Sequence, residues 1–245
     1  MSQSLKAIQK SNIWNQYLAG LIDGDGSLLI SKAGYASLEI TMDIHDLQAL
    51  NLVKQKLGGS VKRRKESLSF RYRLHHKAGL LEVISRVNGE IRQSNRMVQL
   101  QKICALYQIP YQAPQTLNDN NAWFAGFFDA DGTIVYSYKK GWPQLTVSVS
   151  QKSPVDLACF KNVFGGSLRL DSRSNTYKWD IYSTTDVQNF YKYCRKFPLF
   201  SHKKKRMLLL PRFYRLRTAG AHRSDNPELQ KVWAEFEKDW NTYQS

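Results

Sequence analysis

The sequence predicts an α+β protein built from two copies of one αββαββα unit. The first observation is a stretch that occurs twice in the same register, at residues 18–26 and 124–132. The second is that alternating apolar and polar residues follow each copy, as in strands with one buried face. The third is a shared Gly-Gly-Ser after the next helix, at residues 58–60 and 165–167. The two halves therefore predict a pseudo-twofold architecture.

The duplicated stretch reads Leu-Ala-Gly-Leu-Ile-Asp-Gly-Asp-Gly in the first half and Phe-Ala-Gly-Phe-Phe-Asp-Ala-Asp-Gly in the second. Each copy is an apolar run too short to cross a membrane, and its closing acids and glycine predict the end of a buried helix. Small residues recur at i and i+4, as Gly20 with Gly24 and Gly126 with Ala130. Each helix therefore has a bare stripe, that is, a face without bulky side chains, against which the backbone of the other copy can pack.

Asp25 and Asp131 are the last acids of the two copies, and they fall at predicted helix C-termini. The helix macrodipole disfavours a carboxylate there unless a cation is close. For one copy alone, a solvated helix-ending acid would explain the pattern equally well, but the duplication favours a shared site. If the helices pair, two hard oxygen ligands meet at one point, which suits Mg²⁺ or another divalent ion.

The remaining elements of the first half follow from periodicity and from helix-ending glycines. The strands are predicted around residues 28–31, 38–45, 61–65 and 69–75, with a turn at 32–35, and the helices at 46–57, 80–87 and 94–107.

Residues 110–121 contain two prolines and a run of Asn and Asp, which is linker composition. The second half then predicts strands at 134–139, 144–149, 168–171 and 177–182, a turn at 141–143, and helices at 154–164 and from 185. A basic, aromatic segment at 212–223 and a helix that begins near Asn226 lie beyond the repeat. The predicted domains are therefore 1–109, a linker at 110–121, and 122–245 with an additional C-terminal helix.

The composition favours a polyanionic partner. The chain has 36 basic and 20 acidic residues and a formal charge of +16, which is unusual for an enzyme of small molecules. Three scattered cysteines outside any CxxC spacing predict a reducing, intracellular compartment and argue against a disulfide framework or a zinc site. No apolar run reaches membrane-spanning length, so no membrane partner is expected.

The duplicated stretch closely resembles the motif of the LAGLIDADG homing endonucleases, and the resemblance extends from about residue 14 to residue 217. Two copies in one chain resemble the single-chain, double-motif branch, which implies a monomer with a saddle of antiparallel sheets over double-stranded DNA. The resemblance implies intron homing, in which a metal-activated water cuts both strands of a long asymmetric site with a stagger. It implies Mg²⁺ as the cofactor, Mn²⁺ as a substitute, and Ca²⁺ as an ion that supports binding without cleavage.

The family's functional residues map onto matching positions of this sequence. The resemblance makes Asp25 and Asp131 the metal-binding acids, with the main-chain carbonyls of Gly24 and Ala130 as further ligands. The first acid of each motif is assigned to helix packing. The family's polar residue and lysine near the scissile phosphate correspond to Gln151 and Lys203 in the second half and to Asp46 and Gln93 in the first. With no lysine at position 93, the expectation is that either Arg92 or Arg96 supplies the charge or the first half cuts its strand more slowly.

The outward positions of the alternating strands are the candidates for reading bases. Arg and Lys suit guanine, whereas Asp and Glu can accept from cytosine. Because the two sets differ, an asymmetric target is expected. The candidates are Ser31, Glu39, Thr41, Asp43, Lys62, Arg64, Arg71 and Arg73 in the first half, and Ser137, Lys139, Gln144, Thr146, Ser148, Arg169, Lys178 and Asp180 in the second.

Two alternatives use the same fold. One is an RNA-binding maturase that helps an intron to fold, since basic sheets also bind RNA. The other is a catalytically inactive DNA-binding protein, which the presence of both Asp25 and Asp131 argues against, because carboxylates beside phosphates oppose binding. If the gene is carried by a eukaryotic intron, the protein is expected in a chloroplast or a mitochondrion.

Overall fold

A computed structural model describes the backbone of residues 3–242 and, within that range, the side chains from residue 12 onward. The predicted α+β class is confirmed, since the described residues form nine α-helices and two four-stranded antiparallel sheets. The chain divides into two compact units, Met1–Asp131 with Leu199–Ser201, and Gly132–Pro198 with His202–Ser245. The division by contacts thus includes the second motif helix in the first unit, whereas the domains predicted from the repeat separate at the linker.

Among its described residues, the first unit contains one sheet of strand order β1-β2-β4-β3, five α-helices and one 3₁₀ helix. Its elements are α1 (Gln3–Asp25), β1 (Gly26–Ile30), β2 (Ala36–Asp43), a 3₁₀ helix (Ile44–Asp46), α2 (Leu47–Leu57), β3 (Ser60–Arg63), β4 (Ser69–Leu74), α3 (Lys77–Val87), α4 (Ser94–Leu106) and α5 (Trp123–Asp131).

The core of the first unit lies between the apolar face of this sheet and its helices. The alternation in β2 buries Leu38, Ile40 and Met42 completely or nearly so, while the residues between them remain partly accessible. In α2, Leu50 and Val53 are fully buried at helical spacing. The strands and helices therefore bury the side chains that their periodicity predicts, and the polar face of the sheet is left for other contacts.

Gly26 does not end α1 as a left-handed cap, although the sequence predicts a stop signal there. It is the first residue of β1, so the helix passes directly into the strand. A methyl group on Gly26 would lie 2.6 Å from both the Cα atom and the carbonyl oxygen of Ile22. Glycine is therefore required because the chain folds back against the preceding helical turn, and this directly determines where the acid of α1 lies.

The predicted linker has no helix or strand, but it is fixed to the first unit. The Asn88 side-chain amide donates to the Pro110 carbonyl at 2.8 Å, and the Gln112 N–H donates to the Asn88 side-chain oxygen at 2.8 Å. Leu117 is buried. The segment is consequently a packed connection and not a flexible tether.

The second unit repeats the same order of elements after the motif helix and has the strand order β5-β6-β8-β7. Its elements are β5 (Gly132–Lys139), β6 (Trp142–Gln151), α6 (Val155–Phe164), β7 (Ser167–Asp171), β8 (Thr176–Ile181), α7 (Thr184–Lys196), α8 (Lys203–Thr218), a second 3₁₀ helix (Ala221–Arg223) and α9 (Pro227–Asn241).

The hairpin between β5 and β6 is tighter than predicted. Lys139 pairs directly with Trp142, so only Lys140 and Gly141 form the turn, and their φ angles are 51° and 78°. A two-residue hairpin of this kind requires positive φ at both positions. The predicted turn at 141–143 is therefore wrong for Trp142 and Pro143, which belong to β6.

The segment beyond the repeat packs on the second unit through aromatic side chains. Asn226 caps α9, because its side-chain oxygen accepts from the Glu228 N–H at 2.9 Å. Trp233, Phe236 and Trp240 of α9 are buried. Helix α9 therefore contributes to the core of this unit.

Candidate functional site

The two motif helices, α1 and α5, lie against each other at the bare stripe that the sequence predicts. A methyl group on Gly20 would lie 1.9 Å from the Trp123 carbonyl oxygen, and one on Gly126 would lie 1.9 Å from the Tyr17 carbonyl oxygen. Real Cβ atoms do not approach backbone atoms so closely, so both positions exclude any side chain. The predicted pairing of the two copies is therefore present in the first unit.

The pairing brings the carboxyl ends of both helices together. A methyl group on Gly24 would lie 2.3 Å from the Cβ of Ala130 and 3.2 Å from the Oδ2 atom of Asp131. Asp25 and Asp131 are the last residues of their helices, and both are partly accessible. The second acids of the motifs consequently lie at one end of one helix pair.

A partly buried cation, Arg96, lies near these acids. The Nε of Arg96 donates to the Ile22 carbonyl at 3.2 Å, which holds the guanidinium against α1. Burial lowers the pKa of Arg96, while the carboxylates of Asp23, Asp131 and Asp25 act in the opposite direction. Arg92 instead binds Glu90, with an N–O distance of 3.1 Å. Both arginines that the sequence offers act on the motif acids, Arg92 on Asp23 and Arg96 on Asp23, Asp25 and Asp131.

The first acids of the motifs are buried and act as cross-links. Asp129 is 0% exposed, and its Oδ2 accepts from the Tyr17 hydroxyl at 2.8 Å and from the Phe200 N–H at 2.6 Å. Its Oδ1 accepts from the Ser201 hydroxyl. Because Tyr17 belongs to α1 and Ser201 lies just before α8, one carboxylate joins three segments.

Asp23 has the corresponding position on α1. Its Oδ2 accepts from the Arg92 N–H and from the Trp123 indole N–H, both at 2.7 Å. Trp123 opens α5, so each motif helix carries an acid that accepts from an aromatic side chain of the other. Burial raises the pKa of Asp23 to about 7, although these hydrogen bonds lower it. The expectation that Asp23 and Asp129 serve helix packing agrees with these contacts.

The oxygen donors at the helix ends fit a magnesium site. Mg²⁺ is usually held by one or two carboxylates, with water and substrate phosphates completing the shell. Asp25 and Asp131 supply such carboxylates, and no group of three or more His, Cys, Asp or Glu side chains that could hold a metal occurs among the described residues. This donor set suits a cation shared with a phosphate substrate and not a closed structural zinc site.

The residues expected around the scissile phosphate differ between the halves. In the first unit, Asp46 follows β2 and is 3% exposed, while Gln93 precedes α4 and is 5% exposed. The pKa of Tyr17 is raised mainly by burial and by Asp129, and the charge of Asp46 raises it further. In the second unit, Gln151 ends β6 and Lys203 begins α8, and both are partly accessible.

The polar face of the first sheet is strongly basic. Glu39 lies between two arginines of β4, at 3.2 Å from Arg71 and 2.7 Å from Arg73. Asp43 contacts His45 and accepts from its N–H, both through Oδ1. These acids are thus engaged within the protein. The strands β3 and β4 border a concave pocket of about 370 Å³, lined by Ser60, Lys62, Arg63, Arg64, Lys65, Arg71, Arg73 and His75.

Most base-reading candidates of both sheets are accessible at least in part, but two of the second sheet are not. Ser148 is 2% exposed and Asp180 is 1% exposed. They face each other across β6 and β8, and Asp180 is covered by an ion pair with Arg169 and by the Ser167 hydroxyl. The alternation predicts their face of the sheet correctly, but the expectation that they present side chains to bases is wrong.

Sequence reasoning missed several residues of the site. Tyr17 and Trp123 were overlooked because nothing local shows that they bond to an acid of the other helix. The pocket residues Arg63, Lys65 and His75 were also missed, although the density of basic residues in residues 61–75 is a usable signal. The guanidinium of Arg223 lies over the Trp142 ring, but the sequence identified Arg223 only as part of the basic segment beyond the repeat.

The fold and the helix pair define a double-motif α+β protein with acids at the ends of its paired helices. A model of the protein family described as "LAGLIDADG endonuclease" matches residues 18–107 and 124–214, which cover both repeats. The chain therefore belongs to the LAGLIDADG endonuclease family.

Known relatives include proteins of two kinds. An intron-encoded RNA maturase bI4 from Saccharomyces cerevisiae is 45% identical over 237 residues, which are 94% of this chain and 37% of the yeast protein. The chain thus spans little more than a third of that relative. The intron-encoded DNA endonuclease ai2a of Dictyostelium discoideum is 34% identical, over 94% of this chain and 75% of its own length.

The fold also matches a solved structure of the same architecture. The meganuclease I-SmaMI, bound to DNA that it cannot cleave, superposes with a TM-score of 0.71 at 17% identity, over 93% of this chain and 97% of that one. Within residues 3–242, none of the helices combines the length and the apolar character needed to span a bilayer.

Proposed function

We propose that this chain is a site-specific DNA endonuclease that makes a divalent-metal-dependent, staggered double-strand break in a long asymmetric target. The observation that carries the proposal is the pairing of α1 and α5, which brings Asp25 and Asp131 to one end of a helix pair. Binding to a polyanion alone gives no reason for two partly accessible carboxylates at one end of a helix pair in a protein of charge +16.

In this proposal Asp25 and Asp131 hold Mg²⁺, with the main-chain carbonyls of Gly24 and Ala130 as further ligands. When bound, such a cation lowers the pKa of water and stabilises charge on the phosphate and the departing oxygen. Gln151 and Asp46 orient water near the phosphates in their respective halves. Lys203 supplies positive charge in the second half.

The first half has Gln93 at the position that corresponds to Lys203. Arg96 supplies the charge there, since the charges of Asp25 and Asp131 act on its pKa. Arg96 is held by the Ile22 carbonyl and is partly buried, so it stabilises a phosphate with less freedom to move than a lysine on a flexible stem. We therefore expect the two DNA strands to be cut at different rates.

The polar faces of the two sheets bind the DNA in this proposal. The first face is dominated by arginine and lysine, including Lys62, Arg64, Arg71 and Arg73, whereas the second offers Ser137, Gln144 and Thr146 with fewer cations. Unlike faces suit unlike half-sites, and one chain carries both motifs, so the protein acts as a monomer on an asymmetric duplex.

The decisive experiment is a cleavage selection on a randomised duplex library. In Mg²⁺ we expect recovery of one family of long, non-palindromic sites cut on both strands. In Ca²⁺ the same duplex is bound and stays intact, and Mn²⁺ restores cutting. Asp131→Asn provides the matched control, because it removes one charge at the proposed site while keeping the shape of the side chain. Equal cutting by wild type and Asp131→Asn would refute the assignment of this acid.

A second candidate function is that of an intron RNA maturase, and the 45% identity to the yeast RNA maturase favours it. The test is splicing of the intron that encodes the chain, in vitro, with and without the purified protein. Faster splicing by the wild type and by Asp25→Asn alike would establish a maturase activity that is separate from cleavage. If the protein leaves the splicing rate unchanged, the maturase candidate is rejected.

The names of the relatives also motivate a proposal about the gene. Both relatives are named as intron-encoded, so we propose that this reading frame lies in an intron of an organellar genome, as expected for a homing protein. Sequencing the flanking DNA tests this directly, since a free-standing nuclear reading frame would contradict it.

A further inference from the structure

The C-terminal segment after the second repeat lies outside the residues that match the family, which end at 214. It is nevertheless firmly packed on the second unit. The Trp233 indole N–H donates to the Tyr138 hydroxyl at 3.1 Å, and the Tyr136 hydroxyl donates to Glu237 at 2.9 Å. Through these bonds α9 holds strand β5, and the 3₁₀ helix before α9 is held in place as well.

The 3₁₀ helix Ala221–Arg223 carries an arginine onto the sheet. The guanidinium carbon of Arg223 lies 3.8 Å from the centroid of the Trp142 ring, and the His222 ring lies 4.8 Å from the same ring. His222 in turn contacts Trp233 at 5.7 Å. Ala221 is buried, whereas Arg223 is exposed. Arg223 is therefore an accessible cation that is held over the face of the Trp142 ring.

Trp142 belongs to the polar face of the second sheet. It alternates in β6 with the buried residues Pro143 and Leu145, and thus shares its face with Gln144 and Thr146. Its cross-strand partner is Lys139, whose ammonium lies 5.9 Å from the Tyr182 ring. The hairpin end of this face consequently carries two cations next to accessible aromatic rings.

Stacking on an aromatic face leaves the N–H groups of an arginine pointing outward in their plane. That fork matches two oxygens of one phosphate, and the stacked partner reduces the entropy that is lost on binding. A lysine would gain neither advantage. The chemistry of the Trp142–Arg223 pair therefore suits a phosphodiester.

We infer that Arg223, held by Trp142, is a backbone-phosphate contact for duplex DNA and that the C-terminal segment extends the DNA-binding face of the second unit beyond the repeat. The inference rests on the proposed function. It adds a positioning contact that contributes affinity independently of sequence.

The test uses the full chain and an arbitrary 40-base-pair duplex in Ca²⁺, so that no cleavage target is required. Arg223→Ala should weaken binding roughly tenfold at moderate salt and reduce the slope of log affinity against log salt by about 1. Arg195→Ala is the matched control, because Arg195 is an exposed arginine of α7 in the same unit and its loss changes the net charge equally. It should change the affinity and the slope much less.

A double-mutant cycle tests whether Trp142 acts through Arg223. Trp142→Ala should weaken binding nearly as much as Arg223→Ala, the double variant should add little, and Trp142→Tyr should restore most of the affinity. Circular dichroism of each variant establishes that it is folded.

The outcomes separate this inference from the proposed function. If the wild type binds duplex DNA and Arg223→Ala binds with the same affinity and salt slope, the inference is overturned while the endonuclease proposal stands. If Arg223→Ala is weakened but no sequence is ever cut, the inference stands and the endonuclease proposal fails. Absence of duplex binding by the wild type overturns both.

Discussion

The two acids of each motif are one residue apart and have opposite environments. Asp23 and Asp129 are 4% and 0% exposed, and together they accept hydrogen bonds from at least five protein groups. Each of them accepts from a side chain of the opposite helix. Asp25 and Asp131 are partly accessible at the helix ends. The same residue type thus serves two purposes, because a helix turns by about 200° over two residues and directs the two carboxylates to different sides.

The two kinds of acid are stabilised by different partners. The buried acids are stabilised by neutral N–H and O–H donors from the opposite helix and from the segments before α4 and α8. The accessible acids lie at helix C-termini, where the macrodipole is negative, and their charges act against burial, which lowers the pKa of Arg96.

The largest expected effect comes from removing one accessible acid. Asp25→Asn should lower double-strand cleavage by a factor of about 1,000 or more, since the proposed metal loses an anionic ligand. Its free energy of unfolding in EDTA should stay within about 0.5 kcal/mol of wild type or rise slightly, because like-charge repulsion near Asp131 is relieved. Cleavage assays on the selected target and urea denaturation measure the two quantities.

For this variant, a strong loss of stability with proportionate loss of cleavage would contradict the division of roles between the two acids. Asp119→Asn is a suitable control, since Asp119 is an exposed acid of the connecting segment and should alter neither quantity.

The next effect concerns the contact that brings the acids together. Gly20→Ala should destabilise the protein by at least about 3 kcal/mol, because the new methyl group meets the Trp123 carbonyl at 1.9 Å and backbone cannot yield easily. Gly24→Ala should also destabilise, but its clash is with the Ala130 methyl group at 2.3 Å. Urea denaturation of both variants measures the cost.

The stability lost in Gly24→Ala should be recovered when Ala130 is replaced by glycine at the same time. In the double variant with Ala130→Gly, the methyl group moves from one helix to the other, and most of the lost stability should return. If Ala130→Gly adds a second loss instead, the helices do not meet at these positions. Gly20→Ala has no such repair because its partner is a main-chain oxygen.

A smaller effect is expected for the buried acid of the second motif. Asp129→Asn should cost about 2–3 kcal/mol, because an amide offers one acceptor oxygen where Tyr17, Phe200 and Ser201 now donate to two. Cleavage per folded molecule should change much less than in Asp25→Asn. Active-site titration combined with urea denaturation distinguishes the two variants, and equal stability of Asp129→Asn and wild type would show that the carboxylate is not a structural cross-link.

The sequence was sufficient for the elements and for the helix pair, because both depend on local periodicity and on repetition. Leu38, Ile40 and Met42 alternate with polar residues, as in a half-buried strand. The small residues at positions 20, 24, 126 and 130 predict that the two motif helices pack closely against each other. The charge and the duplicated motif then indicated the partner class. These are properties that a short segment carries by itself.

The sequence was insufficient where a residue's role depends on segments distant along the chain. Ser148 and Asp180 lie on the polar face, as the alternation along their strands predicts. Arg169 and Ser167 nevertheless cover Asp180, and this contact depends on the pairing of β7 with β8. Arg223 reaches Trp142 only because α9 is anchored on β5. The alternation along a strand predicts which face of the sheet a side chain lies on, but the neighbouring side chains determine how much of it is exposed.

The smallest expected effect uses pH to compare the buried acid of the first motif with the accessible one. Because the folded-state pKa of Asp23, about 7, lies above its ordinary value of 3.8, the folded chain retains a proton that the unfolded chain has released between these pH values. The stability that Asp23 contributes is therefore complete below pH 4 and is lost as the pH rises through 7.

Asp23→Asn removes this titration, so the difference in unfolding free energy between wild type and variant should shift by about 1 kcal/mol per pH unit between pH 5 and 7 and level off above. Urea denaturation in EDTA at pH 5, 6, 7 and 8 measures the difference, and Asp25→Asn examined in parallel should show a smaller shift. Curves for wild type and Asp23→Asn that stay parallel from pH 5 to 8 would mean that Asp23 is charged in the fold throughout. The hydrogen bonds from Arg92 and Trp123 would then outweigh its burial, and the two acids of the first motif would differ in contacts but not in charge.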